Sequence, residues 1–136
     1  MEGIEPGVLK DKARAAAHNS FSPHSGYPVG AVVLTAGGQY FTGCNMESSS
    51  YGLTVCAERN ALAAAIVTGE RRFLAIGVYS PNGATPCGAC RQIIWDICGA
   101  IPVYIFSDEE HFRILNSGEL LPEPFDNRIL KEYRHS

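Results

Sequence analysis

The chain has 136 residues, of which 46% are apolar and 18% charged, and its net charge is −3. That is enough globular chain for one domain to bury a core without disulfide staples, and it excludes a disordered polymer. No stretch clusters Lys or Arg as a polyanion-binding surface requires, and no apolar run is long enough to span a membrane, so neither nucleic acid nor membrane is expected as a partner.

The N-terminus lacks the basic region and apolar run of a signal peptide. Five cysteines, an odd number, fit poorly with a secreted disulfide framework. A reducing cytoplasmic setting is expected, in which cysteines are buried, metal-binding or catalytic.

Val8, Leu9, Ala13, Ala16 and Ala17 recur at helical spacing and predict a first helix over 6–19. Residues 20–26 are rich in turn formers and read as a loop. Residues 29–35 form a strand apolar almost throughout, expected to be covered on both faces. Gly37-Gly38 turns the chain into a second strand over 40–46, making a hairpin. After a polar loop over 47–54, an Ala-rich helix runs over 56–68 and stops at Gly69.

A strand over 73–80 leads to a loop, and Pro86 starts a helix over 87–98 that Gly99 ends. Further expectations are strands over 102–107 and 112–115, a helical turn over 117–121 and a last helix over 126–133. The order is that of an α/β domain with one sheet covered by helices, occupying residues 1–136 as a single unit. Its site belongs at the loops that precede the two middle helices.

Two segments carry chemistry: Cys56-Ala57-Glu58 and Pro86-Cys87-Gly88-Ala89-Cys90. Zinc favours thiolates in tetrahedral geometry, and a catalytic site leaves one position open for water. Cys87 and Cys90, at i and i+3, share one face of a first helical turn. Cys56 and Glu58, at i and i+2, diverge on a regular helix, so Cys56 must sit at its extreme start. Helix N-termini also stabilise thiolates. Three thiolates on one Zn²⁺ leave a net charge of −1, and Arg59 is placed to offset it as a donor to the sulfurs.

Taken alone, Cys87-Gly-Ala-Cys90 fits a redox dithiol or half of a structural zinc site as well as it fits catalysis. A structural site needs a fourth ligand, and neither Cys44, Cys98 nor any of the four histidines has fitting spacing. Cys44 and Cys98 are expected to be buried small hydrophobes.

Zinc deaminases carry an H-x-E…P-C-x-x-C pattern, with three cysteines as a variant. From about Phe21 to Phe125 this chain resembles the small homotetrameric cytidine deaminases. The likeness rests on Tyr27-Pro28-Val29-Gly30-Ala31, Gly43-Cys44-Asn45-Met46-Glu47, Ser50-Tyr51-Gly52, Cys56-Ala57-Glu58-Arg59, Pro86-Cys87-Gly88-Ala89-Cys90-Arg91-Gln92 and Leu120-Leu121-Pro122. The resemblance implies a three-layer α/β/α fold around a mixed sheet of about five strands. It also implies hydrolytic deamination of cytidine and deoxycytidine with release of ammonia, in pyrimidine salvage.

By the same resemblance Cys56, Cys87 and Cys90 hold one Zn²⁺ per chain, and Glu58 carries protons from water to N3 and to the leaving amine. Asn45 and Glu47 hold the ribose 3′-hydroxyl. Tyr27, where the family has Phe, and Ala57 line the substrate. Tyr51 and Phe125 match aromatics donated by neighbouring subunits, so a homotetramer with shared sites is implied.

The chain departs from the family at Ser48 and Ser49, where Asn-Ala is usual, and at Asn60, where Thr is usual. Reaction type is therefore better determined than substrate preference. Another aminopyrimidine nucleoside is the nearest alternative, ahead of a non-catalytic zinc or redox protein.

Overall fold

The computed structural model describes residues 3–135. Its elements are α1 (Pro6–Ala17), β1 (Gly30–Thr35), β2 (Tyr40–Cys44), α2 (Ala57–Val67), β3 (Phe73–Tyr79), α3 (Gly88–Cys98), β4 (Pro102–Phe106), β5 (Arg113–Asn116) and α4 (Asn127–His135). The strands form one sheet in the order β2-β1-β3-β4-β5. β3 and β4 are parallel, joined by a crossover through α3, and every other pair is antiparallel. This is the mixed five-stranded sheet that the resemblance implies.

Strand alternation sorts the central residues onto two faces. Ala31, Val33, Ile76, Val103 and Ile105 meet Ala57, Ala61, Leu62, Ala65 and Ile94 of α2 and α3. Val32, Leu34, Ala75, Tyr104 and Phe106 meet Leu9, Ala13 and Ala17 of α1. The spacing of Leu9, Ala13 and Ala17 gives α1 a single buried stripe, so the expected three layers form. β1 is buried at every position, as its unbroken apolar run predicts.

The helix on each face approaches the sheet where a strand residue has no side chain. A Cβ on Gly30 would lie 1.8 Å from Ala13 O, and one on Gly43 would lie 2.4 Å from Ala61 N. α2 is thereby pressed against β2 through backbone contact.

Several boundaries differ from expectation. α1 ends at Ala17, and β2 ends at Cys44, before Asn45. Met46 forms isolated bridges with Phe21 and Val55 instead of continuing the strand, because its partners change on leaving β1. Residues 117–121 do form the expected helical turn, Glu119 N and Leu120 N both donating to Asn116 O, and Ser117 is drawn inward, its hydroxyl taken by Gly99 O and its amide by Ile101 O. Cys44 and Cys98 are half-buried, not enclosed. Cys44 lies on edge strand β2 and donates to Asn19 O at 3.4 Å. Cys98 lies in the last turn of α3, where burial pushes its thiol up to about 12. No helix among the described residues is long and apolar enough to cross a membrane.

Candidate active site

Cys56 is the N-cap of α2 and Cys87 the N-cap of α3, both in extended backbone geometry. Cys90 lies in the first turn of α3 and is fully buried. The three sulfurs lie within 4.8 Å of one another, and Cys56 and Cys87 are 3.7 Å apart. The cap position answers the i, i+2 problem: Cys56 lies outside the helix, while Glu58 is in its first turn.

Tetrahedral zinc with Zn–S bonds of about 2.3 Å sets two sulfurs roughly 3.8 Å apart, so the triad suits that ion. The proton inventory agrees. Cys90, helped by Arg59 and Cys87, lowers the Cys56 thiol from its ordinary value. Cys90 is pushed well up, first by Cys56 and then by burial. One thiolate thus forms readily and opposes the next, a conflict that a divalent cation removes. Among the described residues this is the one such group of His, Cys, Asp and Glu side chains.

Arg59 supplies the donor expected of it. Its Nη2 points to Cys56 Sγ at 3.7 Å and to Thr54 O at 3.2 Å. Its Nε is buried without a hydrogen-bond partner. Glu58 is only 4% exposed, and burial raises its carboxyl to about 7, assisted by the Cys56 thiolate. A carboxyl so placed exchanges a proton near neutral pH.

A cavity of about 380 Å³ opens in front of these groups. Tyr27, Asn45, Glu47, Cys56, Ala57, Glu58 and Cys87 all line it, so most of the expected residues converge. Tyr51 instead borders an adjoining hollow with His24 and Glu47, and its ring meets the edge of His24 at 5.9 Å. Phe125 lies apart, beside Gln92 and Asp96, with its carbonyl taking the Gln92 amide at 2.8 Å.

Asn45 and Glu47 do face one cavity, but they also hold its wall. Asn45 Oδ1 accepts from Ser20 Oγ and Val29 N, and its Nδ2 donates to Tyr27 O at 2.8 Å. Glu47 accepts from His24 N at 2.9 Å, Ser25 N at 3.0 Å and the Ser25 hydroxyl, bonds that keep its carboxyl below the usual range. This leaves one N–H on Asn45 and spare lone pairs on Glu47, a donor and an acceptor for one hydroxyl.

Ser25, Thr54, Ser80, Ala84 and Thr85 also line the cavity and were not foreseen. In sequence four of them are ordinary loop residues and Ser80 ends an expected strand, and nothing local marks which of them turn inward.

Residues 7–106 match the family model described as the cytidine and deoxycytidylate deaminase zinc-binding region. A cytidine deaminase of Sporosarcina psychrophila is 37% identical over 122 residues, covering 88% of this chain and 90% of that protein. One from Mycobacterium tuberculosis H37Rv is 35% identical over 127 residues, 92% of each. The crystal structure of cytidine deaminase from Burkholderia pseudomallei superposes with a TM-score of 0.87 at 37% identity, covering 90% of this chain and 100% of that one.

Proposed function

Given that this chain belongs to the zinc-binding cytidine and deoxycytidylate deaminase family, we propose that Glu58 is its proton carrier and that Cys56, Cys87 and Cys90 are its zinc ligands. The protein is a zinc-dependent enzyme that deaminates cytidine and deoxycytidine hydrolytically, giving uridine or deoxyuridine and ammonia. The observation that carries the residue assignment is a cluster of three sulfurs within 4.8 Å of one another, two of which, Cys56 and Cys87, line a single cavity with the buried Glu58 carboxyl.

When bound, zinc supplies a Lewis acid that lowers the pKa of a water to roughly 7. Glu58 would take one proton from the attacking water and deliver it to N3 of the base, which makes C4 electrophilic, while the water oxygen bonds to C4. It would then carry that water's second proton to the amine, which leaves C4 as ammonia when the C4–N bond breaks. Arg59 offsets the excess thiolate charge by donating to Cys56. The free N–H of Asn45 and the open lone pairs of Glu47 grip one ribose hydroxyl and so orient the base. The Tyr27 ring and Ala57 border the nucleoside.

The whole chain is one catalytic domain, working in nucleoside salvage in the cytoplasm. We assign it a homotetramer in which Tyr51 and Phe125 reach neighbouring sites; their exposures of 76% and 63% support this. Their large apolar surfaces gain most from being covered by another chain.

Zinc analysis and ammonia release from cytosine, cytidine, deoxycytidine and deoxycytidine monophosphate test the reading. Expected are one zinc per chain, turnover of both nucleosides and loss of both metal and turnover in Cys90→Ala. Full zinc in that variant would refute the ligand set, and a fully active monomer by light scattering would refute the shared site.

A further inference from the structure

Two loops meet at the cavity rim, leaving the neighbouring strands β1 and β3 where Gly30 pairs with Tyr79. Residues 22–29 bring Ser25, Tyr27 and Val29 to the lining, and the segment between β3 and α3 brings Ser80, Ala84 and Thr85. The Tyr27 hydroxyl donates to Asn82 Oδ1 across them. Among the described residues no other hydrogen bond joins these two loops.

Both ends of this bond are anchored. On one side Tyr27 N donates to Ser25 Oγ at 3.0 Å, and Tyr27 O accepts from Asn45 Nδ2 at 2.8 Å. On the other, Asn82 sits in a turn closed by Gly83 N on Ser80 O at 3.3 Å. The hydroxyl of Ser80, a residue only 1% exposed, takes Ala84 N at 2.8 Å. A bond between two fixed ends sets the position of the ring instead of merely decorating it.

We infer that Asn82 is a positioning residue for the nucleoside: it holds the Tyr27 ring at the rim and so fixes that wall of the cavity mouth. The inference rests on the reading that this cavity takes the nucleoside. Asn82 is not among the residues lining the cavity around the three sulfurs and Glu58, so its effect falls on substrate binding and not on proton transfer. Losing one neutral hydrogen bond that orders a binding group amounts to about 2- to 10-fold.

The test is a kinetic cycle on the zinc-loaded enzyme with Tyr27→Phe, Asn82→Ala and the double variant, plus Asn82→Asp. Tyr27→Phe and Asn82→Ala should each raise KM for cytidine by about 2- to 10-fold, with kcat and zinc content unchanged. The double variant should be no worse than either single one. Asn82→Asp keeps the acceptor oxygen and should retain the parent KM. Additive losses in the double variant, or an unchanged KM in Asn82→Ala, would overturn the inference.

Hydrogen–deuterium exchange decides the bond without turnover. Exchange over 80–86 should rise alike in Tyr27→Phe and Asn82→Ala, and no change in either would overturn the clasp. A parent enzyme that left cytidine untouched would strike the reaction assigned above and not this bond.

Discussion

Replacing Gly43 with alanine adds one methyl group at the place where β2 and α2 already touch. The new Cβ would lie 2.4 Å from Ala61 N, 2.6 Å from Ala57 O and 2.9 Å from the Asn60 carbonyl carbon, whereas ordinary contact begins at 3.4 Å. All three are backbone atoms, so no side chain can swing aside. α2 must retreat by about 1 Å, and overpacking of this kind costs about 1–3 kcal/mol. For a chain of this size that lowers Tm by roughly 3–15 °C.

The helix that retreats begins at Cys56-Ala57-Glu58, so the site moves with it. A misplacement of about 1 Å at reacting groups lowers turnover roughly 100-fold. Thermal melts, zinc content and kcat/KM for cytidine measure the two effects separately. Gly30→Ala is the control: its Cβ would lie 1.8 Å from Ala13 O and 2.6 Å from Ala17 N. It should cost at least as much stability, yet the folded fraction should keep its kcat, because α1 carries no site residue. A Gly43→Ala enzyme with parental Tm and turnover would refute the close seating of α2 as the support of the site.

Glu58→Gln should keep zinc and fold but lose at least the ~10²–10⁴ in kcat expected of one acid–base group; near-parental deamination would make Glu58 a mere packing residue. Glu47→Ala should lower kcat/KM for cytidine about 10- to 100-fold while changing the slow reaction of free cytosine little. Equal losses on both substrates would show that Glu47 acts only by holding Ser25 and His24.

Arg128, with help from Trp95, holds the Asp126 carboxyl well below the usual range. The folded state therefore favours the ionised form, which stabilises above the unfolded value of about 4 and less so as pH falls below it. The Tm gap between the parent and Asp126→Asn should be constant from neutrality to about pH 5 and shrink in more acid solution. A gap that ignores pH would leave only a neutral hydrogen bond.

The α/β order and the pairing of Cys87 with Cys90 were legible because their signals are local, whereas Cys56, 31 residues from Cys87, joined them only through the resemblance. Apolar periodicity marks α1, β1 and β3, and Cys87 and Cys90 share one helical turn whatever the rest of the chain does. Arg59 could be read as a sulfur donor because it lies three residues from Cys56. Asn45 shows where such reasoning stops. The resemblance pairs its side chain with that of Glu47, but does not tell that the Asn45 amide is mostly consumed by Ser20, Tyr27 and Val29. Those partners are 16 to 25 residues away, and only the folded sheet brings them near. Met46 left the expected strand for the same reason, since its bridges to Phe21 and Val55 are set by tertiary pairing.

The stretch that matches the family ends at residue 106, the last residue of β4, and β5 lies beyond it. β5 contributes nothing to the cavity, but it pairs with Pro102–Ile105 of a strand that reads Pro-Val-Tyr-Ile-Phe. A protein trimmed to the matched residues would present that row of unpaired amides and apolar side chains to solvent, a template on which other molecules could add strands. With β5 in place the sheet ends in four residues, the first of them Arg113, and a short strand with a charge is a poor template for further growth. The cover of the β4 edge is thus carried by a segment outside the catalytic motifs, and a form shortened to residue 106 is expected to aggregate more readily than one that keeps residues 113–116.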